Sequence, residues 1–274
     1  MAAVETISGF VTNAGAVDTI VIMAPGDSPT VRNFSSGYAY LLNVFTRRLT
    51  AGFTRIRSPR LHDNVNGIRL DQDATAGSAS TNYPLLPMGF VQPLIAQDTL
   101  TLSMTGQSGA GLIDSTALTL YYPNLDSANG RFIDSTQLAA RLKNYVGNPV
   151  SVTAGTAGGW SGAAAINSLV DILKANTDYA IIGGTIRATA ASKDVCAISI
   201  KGVDTGNLRI AFPGNNLGVA ADLTTNYFQS MSDRCGKPMI PVVNSANKAG
   251  IYVECVNDNL ANTIVVTLIM AELA

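Results

Sequence analysis

The sequence predicts an all-β protein made of two similar halves, and three observations carry that prediction. Short runs rich in Val, Ile, Thr and Leu recur along the chain, separated by Gly, Asn, Asp and Pro clusters, as strands are by turns. Five segments recur in the same order at a separation of about 140 to 150 residues. Tyr38-Ala39-Tyr40-Leu41-Leu42 returns as Tyr179-Ala180-Ile181-Ile182, and Gly67-Ile68-Arg69-Leu70 as Gly206-Asn207-Leu208-Arg209-Ile210. Thr81-Asn82-Tyr83 matches Thr225-Asn226-Tyr227, Pro87-Met88 matches Pro238-Met239, and Ala117-Leu118-Thr119-Leu120 matches Val265-Val266-Thr267-Leu268. Finally, 274 residues suffice for two domains that each bury a core, here residues 1–130 and 131–274. The period far exceeds the roughly 20 to 50 residues of solenoid repeats, so each copy is a whole domain.

In the first half the expected strands are Thr6–Val11, Thr19–Met23, Tyr38–Phe45, Thr54–Arg57, Gly67–Leu70, Gly89–Leu94, Thr99–Met104 and Ala117–Tyr122. The second half offers Val150–Thr153, Tyr179–Ala188, Val195–Lys201, Leu208–Phe212, Tyr227–Met231, Ile240–Val243, Gly250–Val256 and Thr263–Met270. Alternation is strictest in Thr99–Met104, whose Leu100, Leu102 and Met104 share one face. Tyr38–Leu42 and Ile264–Met270 are apolar on both faces and call for cover on both sides.

Two stretches read as helix. Asp134 opens one as an N-cap, with Leu138, Leu142 and Tyr145 on one face up to Gly147 and Pro149; the surrounding Pro123–Asn148 is the expected linker. The other spans Ser161–Ala175, with Ile166, Leu169, Val170 and Leu173 at helical spacing.

Composition narrows the function. Charged residues make up only 14% of the chain, against roughly 25% in ordinary soluble proteins, which suits a surface largely covered by copies of itself. The net charge of −1 argues against binding nucleic acid through its phosphates. Met1–Glu5 lacks the basic start of a signal peptide and no window approaches 18 uninterrupted apolar residues, so synthesis in soluble form in the cytoplasm is expected. Cys196, Cys235 and Cys255 form neither a disulfide framework nor a zinc pattern, and Cys196 and Cys255 lie in apolar strand patterns that predict inert, buried thiols.

Eight strands per half without a βαβ rhythm leave an immunoglobulin-like sandwich or a jelly roll. The long loops Asp71–Leu86 and Pro213–Thr225, at corresponding places, favour the jelly roll, giving two tandem eight-stranded rolls with one or two short helices. With that architecture, duplication and length, the chain resembles the double jelly-roll major capsid proteins of the adenovirus-hexon lineage, and most of all the small members from lipid-containing bacterial viruses. The resemblance implies a homotrimer of pseudo-hexagonal outline that tiles an icosahedral shell, located in the virion. It implies as partners other copies of the chain, other capsid proteins such as a vertex protein, and an internal membrane, with no sequence-specific nucleic acid. The alternative is a β-sandwich spike that binds a receptor or glycan; its loops Asp71–Ser80 and Gly214–Asp222 contain no aromatic residue, which counts against it.

Chemistry is sparsely represented, and neither enzymatic activity nor a cofactor or metal is expected. His62 is the sole histidine, too few for the metal sites of a bicupin; as the base of a Ser-His-Asp triad it would have to serve alone from a polar turn, and a solvated loop or subunit contact is its expected place. Gly106–Gly111 lacks the Lys-Ser/Thr of a phosphate loop, and Asp71-Gln72-Asp73 and Asn257-Asp258-Asn259 lack full calcium-ligand spacing. An arginine cluster, Arg32, Arg47, Arg48, Arg55, Arg57, Arg60 and Arg69, is accompanied only by Asp63. Arg47, Arg48, Arg55, Arg57 and Arg60, with Trp160 among its glycines, are the candidate subunit or inner-surface contacts.

Overall fold

A computed structural model describes residues 1–12, 17–48, 52–60, 65–72, 79–84, 92–105, 113–126, 129–153, 158–188, 195–214, 226–257 and 263–274. The chain is mostly β, in curled antiparallel sheets consistent with an all-β jelly-roll. The first part supplies β1 (Ala3–Thr12), β2 (Thr19–Ile20), β3 (Ile22–Met23), β4 (Ala39–Arg48), β5 (Gly52–Arg57), β6 (Ile68–Gln72), β7 (Ala79–Pro84), β8 (Gln92–Leu94), β9 (Thr101–Met104) and β10 (Ile113–Tyr122). The second supplies β11 (Phe132–Ile133), α1 (Ser135–Arg141), β12 (Leu142–Thr153), β13 (Trp160–Ala165), β14 (Asp178–Ala188), β15 (Val195–Lys201), β16 (Ile210–Pro213), α2 (Tyr227–Cys235), β17 (Ile240–Asn244), β18 (Tyr252–Asn257) and β19 (Thr263–Leu273).

One sheet runs β3-β1-β10-β4-β7 with β8 also on β4, and a second runs β2-β9-β5-β6. The other two run β11-β17-β14-β19-β12 and β13-β18-β15-β16. The order β1-β10-β4-β8 is thus repeated as β12-β19-β14-β17, and β2-β9-β5-β6 as β13-β18-β15-β16. Three of the five repeated segments fall on or lead into corresponding strands, β4 with β14, β6 with β16, and β10 with β19, whereas Pro87-Met88 lies outside the described residues. Thr81-Asn82-Tyr83 departs from this scheme, since it lies in β7 whereas Asn226 caps α2.

Four expectations need correction. Ser161–Ala175 is not a helix: Trp160–Ala165 is β13, paired with β18 across a bulge, and the chain then turns without regular structure. Gly162 favours the strand, because at φ +73° its backbone packs so closely on Thr153 that a Cβ would stand 2.3 Å from that carbonyl oxygen, which only glycine permits. The helix at Asp134 starts as expected, with a capping box between Asp134 and Gln137, but it ends at Arg141. Leu142 onward pairs with β19, so the expected linker carries β11, α1 and the start of β12. Tyr227–Met231 is helix and not strand, burying Tyr227, Phe228, Met231 and Ser232 on one face. The loop Asp71–Leu86 contains β7, which extends the first sheet along β4.

The buried side chains form two clusters. The smaller lies between the first two sheets, around Ile7, Leu41, Ile56, Leu102, Leu118 and Tyr122. The larger fills the second half and also takes in Ala24 and, from the strands of the first half, Val4, Leu42, Phe45, Ala117 and Tyr121. The five strand residues belong to β1, β4 and β10, on the sheet face that points away from the first core. The outer face of the first sheet is therefore packed on the second half, which supplies the double-sided cover that the apolar run Tyr38–Leu42 called for.

Candidate functional site: a seam and an open sheet face

Strands alternate their side chains between two faces, so the odd residues of β10, Ser115, Ala117, Thr119 and Tyr121, point outward. All four are buried, and burial along β10 is unbroken from Asp114 to Tyr122. Their cover is β15 and β16. The Cys196 Sγ lies 3.7 Å from the Phe45 carbonyl oxygen and 3.8 Å from that of Ser115. Thr6 N–H donates to the Arg209 carbonyl at 2.7 Å, and Ala211 N–H donates to the Thr6 hydroxyl at 3.1 Å. From α2, the Tyr227 hydroxyl accepts from the Asn43 amide at 2.7 Å while its ring packs edge-on against Phe45. Burial raises the phenol of Tyr227 well above the ordinary tyrosine value, so it stays neutral.

A row of charges of alternating sign closes the seam. Arg209 reaches Asp27 at 2.7 Å in one direction and Glu254 at 2.6 Å in the other. The Asp27 carboxylate also accepts from the Ser8 N–H and the Trp160 indole N–H, each at 2.7 Å, and Arg209 lies over the Trp160 ring at 5.6 Å. Burial pushes the Asp27 carboxyl above the ordinary aspartate value, and the Ser8 N–H, the Arg209 charge and the Trp160 N–H oppose that rise. On the other face of β1, beside the first core, Arg32 grips Glu5 through two bonds of 2.8 and 2.6 Å, and the Tyr122 hydroxyl donates to the same carboxylate. Asp27, Arg209 and Glu254 carried no local sequence signal, because 182 and 45 positions separate Arg209 from its two partners.

The expected contact residues are dispersed by this fold. Trp160 is buried in the seam, holding Asp27. Arg47 is buried too, donating to the Ile113 carbonyl at 2.8 Å. Arg55 and Arg57 share the outer face of β5, where Asp18 stands 2.9 Å from Arg55 and 3.9 Å from Arg57. Phe53 on that face lies under both Arg55 and Arg69, at 4.8 and 4.2 Å. Arg60 is exposed; Arg48 is described as backbone of β4 only. His62, Gly106–Gly111, Asp73, Asp258 and Asn259 lie outside the described residues. Cys196 and Cys255 are buried and Cys235 is half-buried. Among the described residues no group of three His, Cys, Asp or Glu side chains is placed to hold a metal, and no helix is long and apolar enough to cross a membrane.

The second half repeats the first sheet but not its cover. β19 corresponds to β10, yet its burial alternates: Ile264, Val266, Leu268 and Met270 are buried, while the outward Val265, Thr267 and Ile269 are only half-buried. Tyr145 on the neighbouring β12 is 53% exposed. Among the described residues, the outer face of β12-β19-β14 is thus less covered than that of β1-β10-β4, and it carries Tyr145, Val265 and Ile269 beside Thr267.

No family model and no curated protein matches the chain. Among solved structures, the major capsid protein P2 from bacteriophage PM2 aligns over 100% of this chain and 98% of its own, with 9% identity and a TM-score of 0.22.

Proposed function

We propose that the chain is a viral major capsid protein, two tandem jelly rolls whose work is self-assembly and not catalysis. The observation that carries this reading is the unequal burial of two equivalent faces. What β15 and β16 do for β1-β10-β4 inside the chain, nothing among the described residues does for β12-β19-β14. An apolar sheet face left open favours burial against a partner, at about 25 cal/mol for each Å² removed from water. When one half of a molecule is covered by the other and the reverse contact is missing, the missing contact is met head-to-tail by another copy, and such heterologous contacts close into rings. Three copies of two similar halves make a ring of six similar corners, a tile suited to an icosahedral shell. The duplicated strand order and the sequence resemblance support the same reading, which locates the protein in the virion.

The test is size-exclusion chromatography with light scattering, coupled to electron microscopy of the assembled material. The expected result is a trimer or a larger shell built of hexagonal units. Val265→Asp, at a half-buried outward position, is expected to yield a folded monomer. A wild-type chain that stays monomeric at micromolar concentration would overturn the proposal.

A further inference from the structure

The open face of the second half needs a mate, and we infer that it is the outer face of β2-β9-β5-β6 on the first half of another copy. This rests on the self-assembly reading above and identifies its second surface. The seam inside the chain pairs the outer face of a β1-type sheet with the outer face of a β5-β6-type sheet, here β15-β16. Each half contains both sheets in the same strand order. One seam uses one face of each half, so among the described residues one face of each kind is left over: β12-β19-β14 on the second half and β2-β9-β5-β6 on the first. The seam is its own template for the contact between copies.

An independent observation points to the same first-half sheet. Val17, Ile20 and Val65, exposed by 70, 66 and 70%, lie on β2 or just before β2 and β6, and Ile22, exposed by 58%, follows β2 at the start of β3 in the adjoining sheet. Phe53 sits half-exposed at its centre, flanked by guanidinium groups. Large apolar side chains gathered around one sheet mark an interaction surface more than scattered ones do. The contact will not copy the seam atom for atom. By the Thr119–Thr267 match, the partner of Thr6 on β1 is Pro149 on β12, since Thr6 pairs with Thr119 and Pro149 with Thr267. Pro149 has no N–H to repeat the bond from Thr6 to the Arg209 carbonyl, so the mate is held face to face and not by its strand edge.

A crosslinking experiment tests the pairing. Thr267→Cys on the open face and Thr101→Cys on the proposed mate are introduced together in a Cys235→Ser background, and a short bis-maleimide is added. The doubly substituted chain is expected to give covalent dimers and trimers, while each single substitution gives only background. If the wild type assembles by light scattering but the pair does not crosslink, or Thr267→Cys crosslinks to itself as efficiently, the pairing is wrong while self-assembly stands. If the wild type does not assemble at all, the self-assembly reading fails instead. As a second measurement, Ile20→Asp changes an exposed side chain outside both cores and is expected to weaken self-association by about tenfold or more without lowering the monomer's melting temperature. Unchanged association of this variant would also overturn the pairing.

Discussion

Arg209→Met is the most informative single change to the seam. The Arg209, Asp27 and Glu254 side chains are only 13, 5 and 13% exposed, so removing the guanidinium leaves two shielded carboxylates facing each other without a counter-charge. Breaking a buried ion pair in this way costs about 3–5 kcal/mol, a large fraction of the roughly 5–15 kcal/mol by which domains are stable. At roughly 2–4 °C for each kcal/mol, the melting temperature should fall by roughly 6–20 °C near pH 7. The penalty should also depend on pH with a defined sign. Burial already holds the Asp27 carboxyl above its ordinary value, and loss of Arg209 pushes it further up. A carboxyl raised in the folded state contributes stability that is present below its unfolded value and lost as pH rises through the folded value. The gap between wild type and variant is therefore expected to narrow on acidification, and adding Asp27→Asn should recover part of the loss at neutral pH. Thermal unfolding followed by intrinsic fluorescence across a pH series measures both. A gap that is the same near pH 4.5 and near pH 7, or a loss of under about 1 kcal/mol, would refute the argument.

Three further outcomes follow from other parts of the fold. Gly67 and Gly206 occupy the same repeat position with φ of +64° and +66°, but a Cβ on Gly67 would lie 2.2 Å from the Ile56 carbonyl oxygen and on Gly206 only 3.1 Å from its nearest neighbour. Gly67→Ala should thus destabilise by more than the about 1–2 kcal/mol of the left-handed conformation alone, and Gly206→Ala by about that amount, as read from denaturation midpoints. Asp178 is held below its ordinary value by its hydrogen bond to Arg131, so its contribution exists above the unfolded value of 3.8 and is lost as pH falls through the folded one. The stability difference between wild type and Asp178→Asn is accordingly expected at neutral pH and should vanish in strong acid. Burial pushes the Cys196 thiol up to about 12, so a thiol reagent at neutral pH should spare it in the folded chain and modify half-buried Cys235 first. Arg209→Met should accelerate Cys196 labelling, because that thiol reports opening of the seam; mass spectrometry of the labelled peptides measures the rates.

The strands were legible in the sequence wherever one face meets the core and the other does not. Thr99–Met104 alternates for that reason, and Leu100, Leu102 and Met104 are buried together. The Asp134 cap was legible because capping chemistry is local. Ser161–Ala175 misled because Ile166 and Leu173 are core anchors whose spacing with Leu169 and Val170 imitates a helical face, whereas the latter two are exposed and Gly162 sits at positive φ within β13. The opposite error at Tyr227 arose in a short aromatic run, where a strand and the first turn of a helix share a composition. The arginine cluster was visible as a cluster, but its division between a buried seam residue, Arg47, and an outer sheet face depends on which side of each strand is covered. That knowledge resides in the pairing of distant strands, as does the meeting of Asp27, Trp160, Arg209 and Glu254.

The dependence of the first half on the second has a consequence for biosynthesis. During translation Phe45, Ala117 and Tyr121 leave the ribosome long before Cys196 and Ala211, which are to lie against their sheet. Until then the nascent chain displays a finished sheet with an apolar back, the kind of surface that recruits chaperones or clumps between neighbouring polysomes. The segment 1–130 made alone would keep that back permanently bare, and so would a chain stalled before β15. Heavy expression of the gene would therefore be limited less by the stability of the completed molecule than by the interval between its two halves emerging.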